Sequence, residues 1–306
     1  MSKIVTILTP TYNREKKLLN LYRSLKMQSN MNFTWLIIDD GSIDNTYSTV
    51  KKMIAESNFE IQYYKKSNGG KHTALNYSYQ FIKTPLTMIC DSDDWLTSNA
   101  IEVIENKYSL YKDEKDLCGF SFLKGNPNGG YLSSKKIPID GMKASFCACR
   151  INKNIKGDMA EVWYTHCLEE YPFPKFNDEK FLGEDIVWIK MSEKYKLRFF
   201  NDVIYLGEYL EGGLTKNRRV YNIQSPVGAM ERAKVFLDAQ INFRYKIKPI
   251  VQYIVYGNFA GINVRKQYAK SSNKMLYFLA FLPSNLLFVI WKGKYNESKK
   301  NVKSHS

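Results

Sequence analysis

The run Leu86-Thr87-Met88-Ile89-Cys90-Asp91-Ser92-Asp93-Asp94 decides the reading of this chain. Its first five residues are apolar or favour extended backbone, and polar residues follow at once. A run of that length and flanking reads as a buried strand. Three carboxylates within the next four residues crowd negative charge at the strand's carboxyl end, which is costly unless a cation lies close. Hard oxygen ligands of this kind suit Mg²⁺ or Mn²⁺. A solvated turn with a helix cap is the simpler alternative, and the segments upstream weigh against it.

Residues 4–8 (IVTIL) read as a strand ended by Pro10, and 34–38 (TWLII) as a second that stops at Asp39-Asp40-Gly41-Ser42. Residues 60–64 (EIQYY) make a third, before Asn68-Gly69-Gly70-Lys71-His72. Helical spacing falls between them. Asn13 stands where a cap would precede Leu18, Leu21, Tyr22 and Leu25; Asp44 precedes Val50, Met53 and Ile54; Gly69-Gly70 opens a helix with Ala74, Leu75, Ser78 and Phe81. Strand and helix alternate, so the expected class is α/β with a parallel sheet. Ligands of such sheets sit at the carboxyl ends of strands. The polar clusters Thr9–Arg14, Asp39–Ser42, Asn68–His72 and Asp91–Asp94 all fall there, which marks the chain as an enzyme.

Downstream, 97–113 reads as helix and 117–122 as strand, followed by a turn-rich segment, 124–136, that contains Asn-Pro-Asn-Gly-Gly. A further polar cluster, Gly183-Glu184-Asp185, lies in mixed sequence up to residue 215. Pro249 is placed to start a helix bearing Ile250, Ile254, Val255 and Phe259. Met275–Trp291 is apolar but interrupted by Pro283-Ser284-Asn285, which predicts two short helices rather than one span. No repeat of 20–50 residues is present.

The chain has 306 residues, 44% of them hydrophobic, enough for a substantial core. Its net charge of +15 is unevenly placed: residues 216–306 hold 17 Lys/Arg against three acids, and the rest is nearly neutral. Such a tail calls for an anionic partner, whether nucleic acid, lipid surface or acidic substrate. No nucleic-acid motif accompanies it. Five cysteines, an odd number without a CxxC pair, fit reduced thiols in a cytosolic setting better than disulfides or a zinc site. The N-terminal apolar run is too short for a signal peptide. The Gly-Gly segment lacks the spacing of a P-loop or of a Rossmann fingerprint, so neither an NTPase nor a dehydrogenase is indicated. Its backbone N–H groups, with Lys71 and His72, are placed to meet a phosphate at a helix start. His166 is isolated and reads as structural, and Trp95 as packing under the strand end.

Four ordered motifs resemble family-2 glycosyltransferases of the GT-A fold: Thr9-Pro10-Thr11-Tyr12-Asn13-Arg14, Ile38–Thr46, Asn68-Gly69-Gly70-Lys71 and Asp91-Ser92-Asp93-Asp94. Glu179–Asp185 and Glu208–Thr215 extend the resemblance toward bacterial enzymes of capsular and other surface-polysaccharide synthesis. The resemblance implies a GT-A catalytic domain over 1–215, with a Rossmann-like, mostly parallel sheet, a nucleotide-sugar half to about residue 96 and an acceptor half from 97. A basic, partly apolar helical extension over 216–306 would associate with membrane.

It implies an inverting transfer from a UDP-sugar, with Mn²⁺ or Mg²⁺, to a glycan acceptor linked to a polyprenyl diphosphate. The enzyme would work on the inner face of the cell membrane, held by its anionic surface. Thr9, Pro10, Tyr12, Asn13 and Arg14, with Asp39, Asp40 and Gly41, would hold uracil and ribose. Asn68, Gly70 and Lys71 would lie near the diphosphate, and Asp91, Ser92 and Asp93 near ribose or sugar. Asp94, with Asp93, would ligate the metal, and Asp185 or its neighbour Glu184 would be the general base. Tyr209–Thr215 reads either as a lid over the nucleotide, with Lys216, Arg218 and Arg219 reaching the diphosphate, or as an ordinary basic loop. Two other readings compete: a nucleotidyltransferase, which would carry a glycine-rich basic loop where Thr9–Arg14 stands, and a nucleic-acid binder that uses the tail.

Overall fold

The computed structural model describes residues 3–208 and 217–303, with side chains to residue 296. In chain order the elements are β1 Val5–Thr11, α1 Leu18–Lys26, β2 Phe33–Asp39, α2 Thr46–Glu56, β3 Ile61–Lys65, α3 Lys71–Ser78, β4 Leu86–Ile89, β5 Trp95–Leu96, α4 Ala100–Tyr111, β6 Leu117–Gly125, β7 Met142–Ala144, β8 Met159–Tyr164, α5 Thr165–Glu170, α6 Asp185–Met191, β9 Lys196–Leu206, α7 Arg218–Gln224, α8 Pro226–Asp238, α9 Ile247–Phe259, α10 Val264–Lys270 and α11 Lys274–Lys303.

Two compact units emerge: Met1–Pro174 with Lys190–Tyr209, and Lys175–Ile189 with Leu210–Ser306. The Glu184–Asp185 segment groups with the C-terminal helices in the second unit.

The first unit is built on a nine-stranded sheet in the order β3-β2-β1-β4-β8-β6-β9-β5, with β7 paired to β9. β3, β2, β1 and β4 are parallel, as the strand–helix alternation predicts. From β8 onward antiparallel pairs enter, so the whole sheet is mixed. β1, β2 and β6 are buried along their full length, the mark of strands covered on both faces. Trp35 fills the space under α1, stacked on Tyr22 at 6.2 Å, with its Nε1 donating to Thr9 Oγ1 at 2.9 Å.

Pro10 does not end β1. The ladder to β4 stops at Leu8↔Ile89, so the missing N–H of Pro10 faces no partner there, and β1 runs on to Thr11 beside Asp39.

Other local expectations are corrected. α1 begins at Leu18, not after Asn13, and Asn13 takes a left-handed φ of 53°. Its amide donates to Ser42 Oγ (2.8 Å) and its Oδ1 accepts from the Ile43 amide (2.9 Å), so it clips two loops together instead of capping a helix. Ile54, placed on the inner face of α2, is 41% exposed.

In the second unit α8, α9 and α11 enclose a separate core of Met230, Ala233, Ile250, Tyr253, Ile254, Leu276 and Tyr277. α11 is one helix through Pro283, not two. An interior proline costs about 3 kcal/mol of helix stability. Here burial of Ala280 and Ser284, and the Asn258 Nδ2 bond to Asn285 Oδ1 (3.0 Å), hold the helix on both sides of it.

Candidate active site

The parallel ladder brings Thr11, Asp39 and Lys65 to one edge, and β4 delivers Asp91 to the same edge. Asp39 is fully buried; its Oδ1 accepts from the Ser42 amide at 2.7 Å and its Oδ2 from the Tyr63 hydroxyl. Burial, then the bond to Asp39, pushes the Tyr63 phenol up, far from ionisation.

Asp40 holds the next loop. Its Oδ1 accepts from Lys66 Nζ (2.6 Å) and the Gly69 amide (3.0 Å), and its Oδ2 from the Gly70 amide (2.7 Å). The two glycine amides expected to meet a phosphate are therefore spent on Asp40, a carboxylate already seated at the positive end of α3. Gly70 has φ 91° as it enters α3, and a Cβ on Gly41 (φ 87°) would stand 2.9 Å from the Asn68 amide nitrogen. Both positions require glycine. His72, placed by the sequence to meet a phosphate beside Lys71, is buried in the first turn of α3.

Each carboxylate of the acidic cluster meets its own lysine. Asp91 pairs with Lys71 at 2.5 Å, Asp93 with Lys17 at 3.6 Å, and Asp94 with Lys124 at 2.7 Å. The charge density is balanced by the protein's own cations, the alternative to a bound metal that sequence spacing does not reveal. Lys71 and Asp91 are 31% and 44% exposed, whereas Lys124 and Asp94 are 9% and 6% exposed.

Tyr205 links the pairs: its hydroxyl accepts from the Asp91 amide (2.9 Å) and donates to Asp94 Oδ2 (2.8 Å). A Cβ on Gly207 would lie 2.0 Å from Asp94 Oδ1 and 2.5 Å from Lys124 Cε, so only glycine leaves room for this pair. Burial pushes the Asp94 carboxyl up to about 6, against the pull of Lys124. Burial also acts to raise Asp91, but Lys71, Lys124 and Arg14 outweigh it and hold that carboxyl below its ordinary range.

Thr9 is committed to Trp35 in the core, whereas Tyr12 is 46% exposed beside Asn13 and Arg14 at the strand edge. Among the described residues no group of three or more His, Cys, Asp or Glu side chains is arranged to hold a metal. Asp91 and Asp93 keep outward faces that suit a hard cation, and Asp94 does not, being turned onto Lys124 under Gly207.

In the second unit Asp185 opens α6. Arg232, from α8, grips it through Nε and Nη2 together, and Arg218 Nη2 stands 3.7 Å away. Burial acts to raise the Asp185 carboxyl, and the two guanidiniums outweigh it and hold the group below its ordinary range. Gly183 makes room for them: a Cβ there would lie 2.8 Å from Arg232 Nε and 2.9 Å from Arg218 Nη2. Glu179 is structural. It accepts the Val227 and Gly228 amides, each at 2.7 Å, and so closes the open donors at the start of α8.

Of the basic residues after the proposed lid, Arg219 lies over the Trp291 ring at 4.5 Å. Tyr209–Thr215 and Lys216, read as lid or loop, lie outside the described residues. Lys17, Lys66, Lys124, Tyr205, Gly207 and Arg232 were not legible as site residues. Lys124 alone carries a signal, a polar residue at the end of an apolar strand before a Pro/Gly turn. All five cysteines are free and buried.

A sequence model of Glycosyl transferase family 2 matches residues 6–156. An uncharacterised glycosyltransferase of Mycoplasma genitalium is 31% identical over 125 residues, 39% of this chain and 41% of that protein. Chondroitin synthase of Pasteurella multocida is 28% identical over 204 residues, covering 66% of this chain but 20% of the synthase. The chain thus spans less than half the length of the curated relatives it matches. Among solved structures, Staphylococcus aureus TarS 1–349 in complex with UDP-GlcNAc superposes with a TM-score of 0.62 at 16% identity, over 90% of this chain and 79% of that one. The mannosyltransferase PcManGT of Pyrobaculum calidifontis, in complex with GDP-Man and Mn²⁺, gives 0.56 at 15% identity, over 97% and 85%. Those likenesses bear on the fold.

Proposed function

We propose that this chain, which belongs to glycosyl transferase family 2 and has the GT-A fold, moves a hexosyl or N-acetylhexosaminyl group from a UDP-sugar to a glycan with inversion at the anomeric carbon. The carrying observation is one of place: the family match covers β1 to β4, and their carboxyl ends gather Asp39, Asp40, Lys71 and Asp91–Asp94 into one bonded framework.

In this reading Tyr12, Asn13 and Arg14 cradle the nucleoside. Asp39 and Asp40 act through the loops they hold, since their oxygens already serve Ser42, Tyr63, Lys66, Gly69 and Gly70. Lys71 lies toward the diphosphate and exchanges its pairing with Asp91 for the more highly charged ligand. Asp93, with Asp91, would hold Mg²⁺ or Mn²⁺, which when bound offsets negative charge building on the diphosphate. Asp94 supports that turn from beneath on Lys124 and Tyr205.

As the acceptor oxygen attacks, positive charge builds on the sugar ring and the hydroxyl proton must leave. Asp185 accepts it. Arg232 keeps Asp185 ionised and fixes its orientation, and Glu184 is the neighbour to be excluded by mutation. The acceptor is proposed to be a polyprenyl-diphosphate-linked glycan of surface polysaccharide, met at the inner face of the membrane.

Turnover across a panel of UDP-sugars is the direct test, with melting temperature followed against UDP and Mn²⁺. A UDP-dependent rise in melting temperature is expected, and Asp93→Asn should remove the part that depends on metal. Retention on heparin with no response to UDP would replace this reading by polyanion binding.

A further inference from the structure

Helix α11 presents two apolar faces. One, with Leu276, Tyr277 and Ala280, is built into the core of the second unit. The other carries Met275, Phe278, Leu279, Leu282, Leu286 and Val289, each between 63% and 77% exposed. They recur at intervals of three and four, so they form a continuous stripe along one side of the helix. Isolated exposed leucines need no explanation, but a contiguous patch of this kind does.

The charge around it names the occupant. No acidic residue occurs between Asp238 and Glu297, while Arg265, Lys266 and Lys270 of α10 and Lys274, Lys292 and Lys294 of α11 are exposed. A second copy of the chain would bring the same six cations against these. An anionic surface would be complemented by them.

We infer that the outer face of α11 lies in the plane of an anionic lipid surface, its stripe sunk among the acyl chains and its flanking lysines and arginines at the headgroups. Apolar insertion and basic attraction are the two signals that stable peripheral attachment needs. The helix is long and apolar enough to cross a bilayer within Lys274–Asn296. It lies flat because crossing would strip Leu276, Tyr277 and Ala280 from the core and break the Asn258–Asn285 bond. This deepens the proposal of a lipid-linked acceptor, and it rests on that reading only for what the docked enzyme would meet.

Sedimentation of the full chain with vesicles tests it. The wild type should bind phosphatidylcholine–phosphatidylglycerol vesicles and bind phosphatidylcholine alone far more weakly. Leu279→Ser/Leu282→Ser/Leu286→Ser should lower that binding about a hundredfold or more, with melting temperature and its response to UDP unchanged. Lys266→Ala/Lys292→Ala leaves the stripe intact and should weaken binding about fivefold per cation removed. A wild type that ignores anionic vesicles, or a triple variant that binds them undiminished, overturns the inference. So does a concentration-dependent dimer that the triple variant converts to monomer, which would give the stripe to a second copy. If the triple variant fails to fold, the stripe belongs to the core and the inference falls, unless the lysine variant, folded, still loses its preference for anionic vesicles. A chain that sediments as expected but shows no response to UDP keeps the docking face and loses the donor reading.

Discussion

Two carboxylate corners of this chain are partnered in opposite ways. At the ends of β1, β2 and β4, aspartates meet lysines one bond at a time: Asp40 with Lys66, Asp91 with Lys71, Asp94 with Lys124. At the start of α6, Asp185 meets a guanidinium fork through both of its oxygens. A lysine ammonium is a rotatable point charge that can be surrendered to a phosphate, whereas a bidentate arginine fixes both charge and direction. The first corner suits a ligand that must come and go; the second suits a group whose orientation matters. Within the first corner burial makes a further division, because the Lys124–Asp94 pair is nearly sealed and the Lys71–Asp91 pair is open.

That division sets the largest expected effect. Removing one partner of a buried pair leaves an uncompensated charge and costs about 3–5 kcal/mol, while an exposed pair is worth about 1 kcal/mol or less. Lys124→Met should therefore lower unfolding free energy severely, and Lys71→Met hardly at all while weakening the response to UDP. Denaturant titration of both variants measures it. Equal losses would erase the distinction between sealed and open pairs.

The second corner is tested by rate. Asp185→Asn should lower turnover about a hundredfold or more, with the UDP-dependent melting shift retained because the donor framework lies in β1 to β4. Glu184→Gln should stay close to wild type. The reverse outcome would move the base to Glu184 and leave Asp185 as an anchor for Arg232.

A smaller effect sharpens the sealed pair. Gly207→Ala places a Cβ on top of Asp94 Oδ1 and Lys124 Cε. Overpacking of this sort costs about 1–3 kcal/mol, less than losing Lys124 outright. A neutral Gly207→Ala would mean that Asp94 has another place to go.

Much of the first corner was legible because it is local. Strand ends and their polar clusters follow from periodicity, and a parallel sheet puts them on one edge. What the clusters do for one another was not legible. Asp39 and Asp40 read as ligand contacts, yet their oxygens hold loops, since an amide of Gly69 or Gly70 shows nothing in sequence of where it points. Lys124 and Tyr205 reach Asp94 from 30 and 111 residues away, a distance no spacing rule spans. Arg232 is one arginine in an amphipathic helix, and only its convergence on Asp185 distinguishes it. α11 failed differently: proline is a reliable local breaker, and tertiary packing on α9 outweighed it.

The pH dependence of stability isolates what the guanidinium fork does for the Asp185 charge. The Asp185 carboxyl is held below its ordinary value of 3.8 because Arg232 and Arg218 outweigh burial. A carboxyl lowered in the folded state contributes stability that is full above its unfolded value and is lost as pH falls through the folded one. Wild type and Asp185→Asn should therefore differ by a constant margin at neutral pH, where only the wild type has the charged pair. Their melting temperatures should begin to converge as pH drops below about 4, the unfolded value, and meet once pH has passed through the lowered folded one, where the wild-type carboxyl takes up its proton. Glu114 and Asp116, lowered by their bonds to Lys143, lose stability in the same direction and are common to both proteins, so the difference isolates Asp185. Thermal melts from neutral pH into acid measure it. A gap that stays constant below pH 4 would mean that the guanidiniums orient Asp185 without stabilising its charge, and the contrast between the two corners would then be one of geometry alone.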